Sequence, residues 1–257
     1  MAGFYSVNGR QWAIPKDLDT VALWYNKTIF DAAGQPYPDA TWTWDTLKAA
    51  AKKLTTLEHH GFAVIIANQE MYFNFIFQNG GWVISEDKKK SGYGDPKTIE
   101  AMQYLVNFVR EGLSPRLPLV AENSHAALFE SGKVAMACFG SWRLPELENN
   151  EYVAANCDLT VLPGANNGRR AAVYDGLGWA ASAGTKYPGE AWKLLEFFSR
   201  EDVQRKLSRS GIAISACRGA AEAWTLHNPR FNLSAYTDQI PYGQFCPYSK
   251  NAAAWQA

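Results

Sequence analysis

No run in this sequence approaches the roughly 18 consecutive apolar residues that a helix needs to span a bilayer, so it predicts no membrane insertion. Charge of either sign is not in excess. Lys+Arg and Asp+Glu both number 25, so no basic stripe points to nucleic acid or to an anionic membrane surface, and a neutral partner is expected. The opening MAGFYSVNGRQ lacks the charged-then-apolar pattern of a signal peptide. Cys138, Cys157, Cys217 and Cys246 are far apart with no CxxC pair, which disfavours a zinc or thioredoxin-type centre and favours free thiols. His59, His60, His125 and His227 have no ligand-like spacing, so neither a metal nor a cofactor is expected. The GxSxG elbow, P-loop, HExxH and GxGxxG signatures are missing, and no cysteine has a plausibly placed histidine.

What is present is core-forming material. Of the 257 residues 47% are hydrophobic and 14% aromatic, enough for one large domain or two modest ones. The stretch Trp12–Asn26 organises the rest. A strand arrives, breaks at Pro15, and leaves again as a second strand over Val21–Tyr25. Asp17 and Asp19 sit at the break, two residues apart. Extended backbone puts both on one face, roughly 6.6 Å apart at about 3.3 Å rise per residue, facing a cleft or solvent.

Further along, Thr43 caps a helix through Leu54, and Gly61–Ile66 reads as a buried strand. A helix over Glu70–Gln78 ends at Asn79-Gly80-Gly81. Asp95 and Pro96 open the clearest helix, with Ile99, Met102, Leu105, Val106 and Val109 on its apolar face. Strands are expected over Val134–Phe139, Asp158–Leu162 and near Ala172-Val173. Gly140-Ser141-Trp142 starts a helix, another begins at Tyr187-Pro188, and Ser199 caps the one after it. Alternating strands and helices imply an α/β fold with a largely parallel sheet.

Asp17, Asp19, Tyr72, Trp142 and the group Asp175, Gly176 and Trp179 fall at strand ends or helix starts, where α/β sheets gather ligands. Carbohydrates suit such a set, because their C–H faces rest on aromatic rings while carboxylates meet their hydroxyls. The bland alternatives are core packing for the rings and turn-capping for the aspartates. The enzymatic alternative is a glycoside hydrolase using Asp17 and Asp19, whose separation falls near the roughly 6.5–9.5 Å of inverting enzymes. No sequence feature holds one of those carboxyls in an apolar pocket as the acid.

The runs IPKDLDTVALWYNKTIFDAAG, TWTWDTLKAAAKKLT, ALFESGKVAMACFGSW, VLPG and GLGWAASAGTKYPGEAWKLLEFFS, in this order over most of the chain, closely resemble the extracellular solute-binding proteins of ABC sugar importers, the group containing maltose-binding protein. The resemblance implies a periplasmic-binding-protein-like fold of type II. Its two α/β lobes are joined by crossing strands and close on a mono- or oligosaccharide without catalysis. It implies that Asp17, Asp19 and Asp175 accept sugar hydroxyls and that Tyr72, Trp142 and Trp179 form ring platforms. The importer's membrane subunits are then partners, and the location is periplasmic or at the cell surface. Set against the family pattern the chain reads as truncated at both ends, with one lobe nearly complete and the other only partly present. The implied division is 1–19 for the end of the first lobe and first crossing, 20–173 for the complete lobe, 174–240 for the second crossing and first-lobe remnant, and 241–257 for a third crossing and a terminal helix starting near Ala252–Trp255. A first lobe supplied in trans by another polypeptide is the remaining alternative.

Overall fold

The computed structural model describes residues 2–217 and 219–249. Its centre is β1 (Val21–Asn26), a run of six residues that are all buried. A strand buried on both faces must be covered by helices, and those follow. They are α1 (Lys27–Ala32), α2 (Trp44–Leu54), α3 (Phe73–Gln78), α4 (Pro96–Arg110), α5 (Leu117–Asn123) and α6 (His125–Glu130). The chain then returns as β2 (Met136–Gly140), passes α7 (Leu144–Asn149) and α8 (Glu151–Asn156), and completes the sheet with β3 (Cys157–Thr160). The sheet order is β2-β1-β3 and both pairings are antiparallel, with Leu23 opposite Cys138 on one side and Thr160 on the other. The expected parallel sheet is therefore corrected. A continuous apolar strand reports two covered faces, not the direction of its neighbours.

Local signals account for the longer helices. The Thr43 side chain accepts the Thr46 N–H while the Thr46 hydroxyl accepts the Thr43 N–H at 2.7 Å, a reciprocal cap that starts α2. Asp95 Oδ1 accepts from the backbone of Lys97 and Thr98, at 3.0 and 3.2 Å, and Pro96 takes the first position of α4. The face α4 buries is Thr98, Ala101, Leu105 and Phe108, whereas Ile99 and Val106 are exposed. Aromatic packing turns the helix this way. Tyr104 stacks on Trp44 at 4.6 Å and Phe108 meets Phe62 edge-on at 5.3 Å.

Gly61–Ile66 is buried over Phe62–Ile65 but is not a strand. It meets the sheet through Ala63 N–H to Met136 O at 2.9 Å, next to a parallel bridge of His60 to Val134, and is tied to the segment after α4 by Phe62 N–H to Leu113 O at 3.1 Å. The short helices α5 and α8 have too few residues to show a period in the sequence.

Three segments run side by side away from this sheet. Ile14–Pro15 pairs antiparallel with Gly178–Trp179, Asp17–Leu18 pairs antiparallel with Ile214–Ser215, and β4 (Ala172–Tyr174) pairs parallel with Gly243–Phe245. Beyond them lie α9 (Pro188–Ser199), which has no buried residue, and α10 (Glu201–Arg209). Arg200, not Ser199, stands at the start of α10, because the Ser199 hydroxyl is donated back to Leu195 O at 2.7 Å. Trp224, Phe231, Leu233 and Tyr236 join the core of Trp24. This part of the 174–240 stretch thus packs on the β1 sheet and also against the end of α10, where Trp224 Nε1–H donates to Gly211 O at 2.9 Å. The expected helix near Ala252–Trp255 lies outside the described residues. No disulfide joins the cysteines among the described residues, and none of the helices there is long and apolar enough to cross a membrane.

The most constrained polar contact of the core is Trp24 Nε1–H to Tyr236 Oη at 2.8 Å, with the Tyr236 hydroxyl donating to Phe139 O at 3.2 Å; both rings are fully buried. Tyr236→Phe keeps the ring but strands the Trp24 donor, so urea unfolding should show a loss of about 1–3 kcal/mol. An unchanged midpoint would mean that Trp24 finds another acceptor.

Candidate functional site

Proline 15 cannot extend a ladder, so the first connecting segment changes partner there, from Gly178–Trp179 to Ile214–Ser215. Lys16 N–H still reaches Leu177 O at 2.8 Å, and Asp19 and Asp175 exchange backbone hydrogen bonds of 2.9 and 3.1 Å. This register places Asp17, Asp19 and Asp175 around one point where the connecting segments leave the sheet.

The three carboxylates differ in what they face. Asp17 is only 3% exposed. Its Oδ1 accepts the Leu177 N–H at 2.5 Å and its Oδ2 pairs with Lys16 Nζ at 2.8 Å. The expectation that it looks into a cleft is corrected, since one oxygen holds the Leu177 amide of the neighbouring segment and the other is paired with the adjacent Lys16. The same observation removes the geometric ground for pairing Asp17 with Asp19 as a glycosidase acid and base, because Asp17 has no open side for a substrate oxygen or a water. Asp19 is half-buried and accepts the Ser141 hydroxyl at 2.7 Å. Burial raises its pKa from 3.8 to about 6; the Ser141 hydrogen bond opposes the rise, and the charges of Asp17 and Asp175 add to it. Asp175 is raised as well, by burial first and by Asp17, while its Oδ1 accepts the Gly176 N–H at 2.9 Å. Tyr5, which no sequence pattern marked, lies within reach of all three charges. Burial and then those charges push its hydroxyl up to about 12.

β2 supplies the opposite side. It ends at Gly140, and Ser141 and Trp142 follow in a single 3-10 turn. The Trp142 ring lies against the Gly140 backbone, where a larger residue would collide with it, and the side chain remains 36% exposed. The Gly140 N–H donates to Glu70 Oε1 at 3.1 Å. Glu70 sits in a π-helical turn, Asn68–Tyr72, that precedes α3, and burial raises its carboxyl pKa. Tyr72 is placed elsewhere. Its ring meets Phe73 edge-on and borders an apolar pocket with Met102, Val106 and Val109. The wider turn carries Glu70 to the strand end and Tyr72 away from it, a phase that reading EMYFNFIFQ as a regular helix could not supply. Trp179 is already stacked, on Phe198 at 4.6 Å and 14°, with Lys16 Nζ 5.6 Å from its ring centre. The structure thus brings together Asp19, Asp175, Gly176, Ser141 and Trp142, backed by Asp17, Lys16 and Tyr5. Such a site is rich in hydrogen-bond acceptors and carries one exposed ring.

The model of the bacterial extracellular solute-binding protein family matches residues 2–205. A putative binding protein of Brucella abortus is 26% identical over 250 residues, which cover 94% of this chain and 59% of that protein. A maltodextrin-binding protein of Bacillus subtilis is 26% identical over 208 residues, covering 76% of this chain and 48% of that one. The chain therefore spans about 59% of the length of the Brucella relative and less of the Bacillus one. Among solved structures, an ABC substrate-binding protein from Listeria monocytogenes in complex with cycloalternan superposes with a TM-score of 0.86 at 24% identity, covering 98% of this chain and 65% of that one. The GacH receptor of Streptomyces glaucescens, solved without ligand and with acarbose, gives 0.82 at 20% identity, with 98% and 65% covered. These likenesses establish the type II periplasmic-binding-protein fold.

The raised Asp19 pKa has a definite sign. Unfolded chain gives up this proton near 3.8 and folded chain near 6, so the folded state holds more protons between those values and stability falls as pH rises through them. Asp19→Asn keeps an oxygen for Ser141 and should be more stable than wild type by about 1–2 kcal/mol near pH 7.5, with the gain vanishing toward pH 4. Denaturant midpoints at the two pH values measure this, and a gain that is equal at both would exclude Asp19 as its source.

Proposed function

The chain belongs to the bacterial extracellular solute-binding proteins, and on that premise we propose that it binds a mono- or oligosaccharide and serves an ABC importer without chemistry of its own. The observation that carries this is the convergence of Asp19 and Asp175 with the Ser141 hydroxyl and the exposed Trp142 ring at the end of β2. Carboxylates that accept hydroxyl hydrogens, beside a ring that takes a C–H face, match the two surfaces of a sugar. Asp17 is a positioning residue here, and Trp179 supports the site through its stack on Phe198.

In this proposal residues 20–173 form one lobe and the segments 14–19, 172–179 and 243–245 cross toward the other, so the ligand lies where the crossings leave the β1 sheet. The importer's membrane subunits are the protein partner, and the place of action is the periplasm or the outer cell surface. Relatives support the ligand class. They include the maltodextrin-binding protein already described, a galactooligosaccharide-binding protein of Bacillus subtilis, and a structure with bound maltose.

Titration with gluco- and galacto-oligosaccharides, followed by tryptophan fluorescence, should give a saturable change. Trp142→Ala should lose about 1 kcal/mol, a roughly fivefold weakening. No response to either series at millimolar sugar would sink the proposal.

A further inference from the structure

His227, which the proposed binding site does not use, joins two parts of the molecule. It follows α11 (Glu222–Thr225), whose Trp224 belongs to the core of Trp24. Its Nδ1 lies 3.0 Å from Arg209 O at the C-terminal end of α10, and its Nε2 lies 3.0 and 3.1 Å from the two carboxylate oxygens of Glu148 on α7. Gly211 allows this approach. It leaves α10 with a φ of +76°, and a Cβ at that position would collide with the imidazole. Asn228 Nδ2 also donates to Glu148 Oε2, at 2.9 Å, and so holds the carboxylate in place.

Both ring nitrogens therefore face acceptors. Neither a carbonyl oxygen nor an ionised carboxylate can donate, so a neutral imidazole, with its single N–H, satisfies one contact and turns a lone pair toward oxygen at the other. Only the imidazolium donates to both. Arg209 O also lies in the last turn of α10, whose carbonyls have no intrahelical partner and form the negative end of the helix dipole. A groove of about 430 Å³, lined by Arg205, Arg209, Glu222 and Leu226, opens on the ring, whose side chain is 22% exposed, so protons reach it from solvent. Arg205 is paired with Glu201 at 2.7 Å, Arg209 and Glu222 are opposite in sign, and so are Glu151 and Arg230, which share a groove with Glu148. Burial by itself lowers the His227 pKa, but the Glu148 hydrogen bond, the Arg209 carbonyl and the Glu148 charge together raise it above 6.5. We propose that His227 is a protonation-operated clasp between α7 and the C-terminal end of α10, closed when the ring is charged and slack when it is neutral. α7 follows directly on the turn that carries Ser141 and Trp142, and α10 leads to Ile214–Ser215, the partner of Asp17–Leu18. The clasp thus ties together the two elements that flank the site. The bond from Trp224 to Gly211 O holds the same joint without a titrating group, so at high pH the joint loosens on the α7 side and stays together.

The folded pKa lies above the unfolded one, so the clasp contributes fully below about 6.5 and is lost as pH rises through the folded value. The test combines an assigned NMR titration of the imidazoles in wild type and Glu148→Gln with urea midpoints of wild type, Glu148→Gln and His227→Gln at pH 6 and pH 8.5. Glu148→Gln keeps an oxygen for Asn228 and removes the charge. His227→Gln keeps an N–H toward Glu148 and cannot be protonated. The wild-type ring should titrate above 6.5, and in Glu148→Gln its pKa should fall. Wild type should lose stability between the two pH values, and each variant should lose about half as much or less. Asp19 is common to all three proteins, so its own titration cancels in the comparison. If His227→Gln does not fold, Glu148→Gln decides through both readouts. A His227 that titrates at or below 6.5, a pKa unmoved by Glu148→Gln, or equal losses in wild type and variants overturns the clasp. Neither readout uses a ligand, so the carbohydrate proposal stands or falls separately.

Discussion

The structure depends on one backbone exchange, the pair of hydrogen bonds between Asp19 and Asp175. Two segments far apart in sequence are fixed side by side there, each presenting a carboxylate at the same level, and Asp17 completes the tie by accepting the Leu177 N–H. Placing like charges together in partly buried surroundings costs free energy. The raised pKa values of Asp19 and Asp175 record that cost. Lys16 offsets part of it through Asp17. What results is a set of acceptors held in place before any ligand arrives, with little reorganisation left for binding to bear.

The rest of the fold explains why this exchange sits where it does. β1 is buried on both faces, so nothing can approach the sheet from above or below, and only the strand ends are open. β2 ends at Gly140, whose missing side chain lets the Trp142 ring fold over the backbone and whose N–H holds Glu70. One strand end thereby delivers a hydroxyl, a ring and a carboxylate to the place where the connecting segments depart. Loop chemistry on a rigid sheet is a general way to position a binding site.

Much of this was legible in the residues. The broken strand at Pro15, the caps at Thr43 and Asp95, the uninterrupted apolar run of β1 and the family motifs each have a local cause that a sequence displays. Errors arose where a phase or a partner had to be chosen. EMYFNFIFQ reads as a regular helix, but a π-helical turn opens it and brings Glu70 to the end of β2. Aliphatic spacing points α4 toward Ile99 and Val106, whereas aromatic contacts with Trp44 and Phe62 turn it the other way.

The sequence by itself determined that the chain folds as a solute-binding protein and that aspartates and aromatics gather at its strand ends, because caps, breaks and runs of apolar residues act over a few positions. Only the tertiary structure decided the division of labour among the three aspartates. Asp17 and Asp19 are equivalent by composition and spacing, and they differ solely in what lies opposite them, a lysine and a backbone amide for one and a serine hydroxyl for the other. The Leu177 amide and the Ser141 hydroxyl come from residues more than a hundred positions away, and no local rule of backbone or propensity reaches that far.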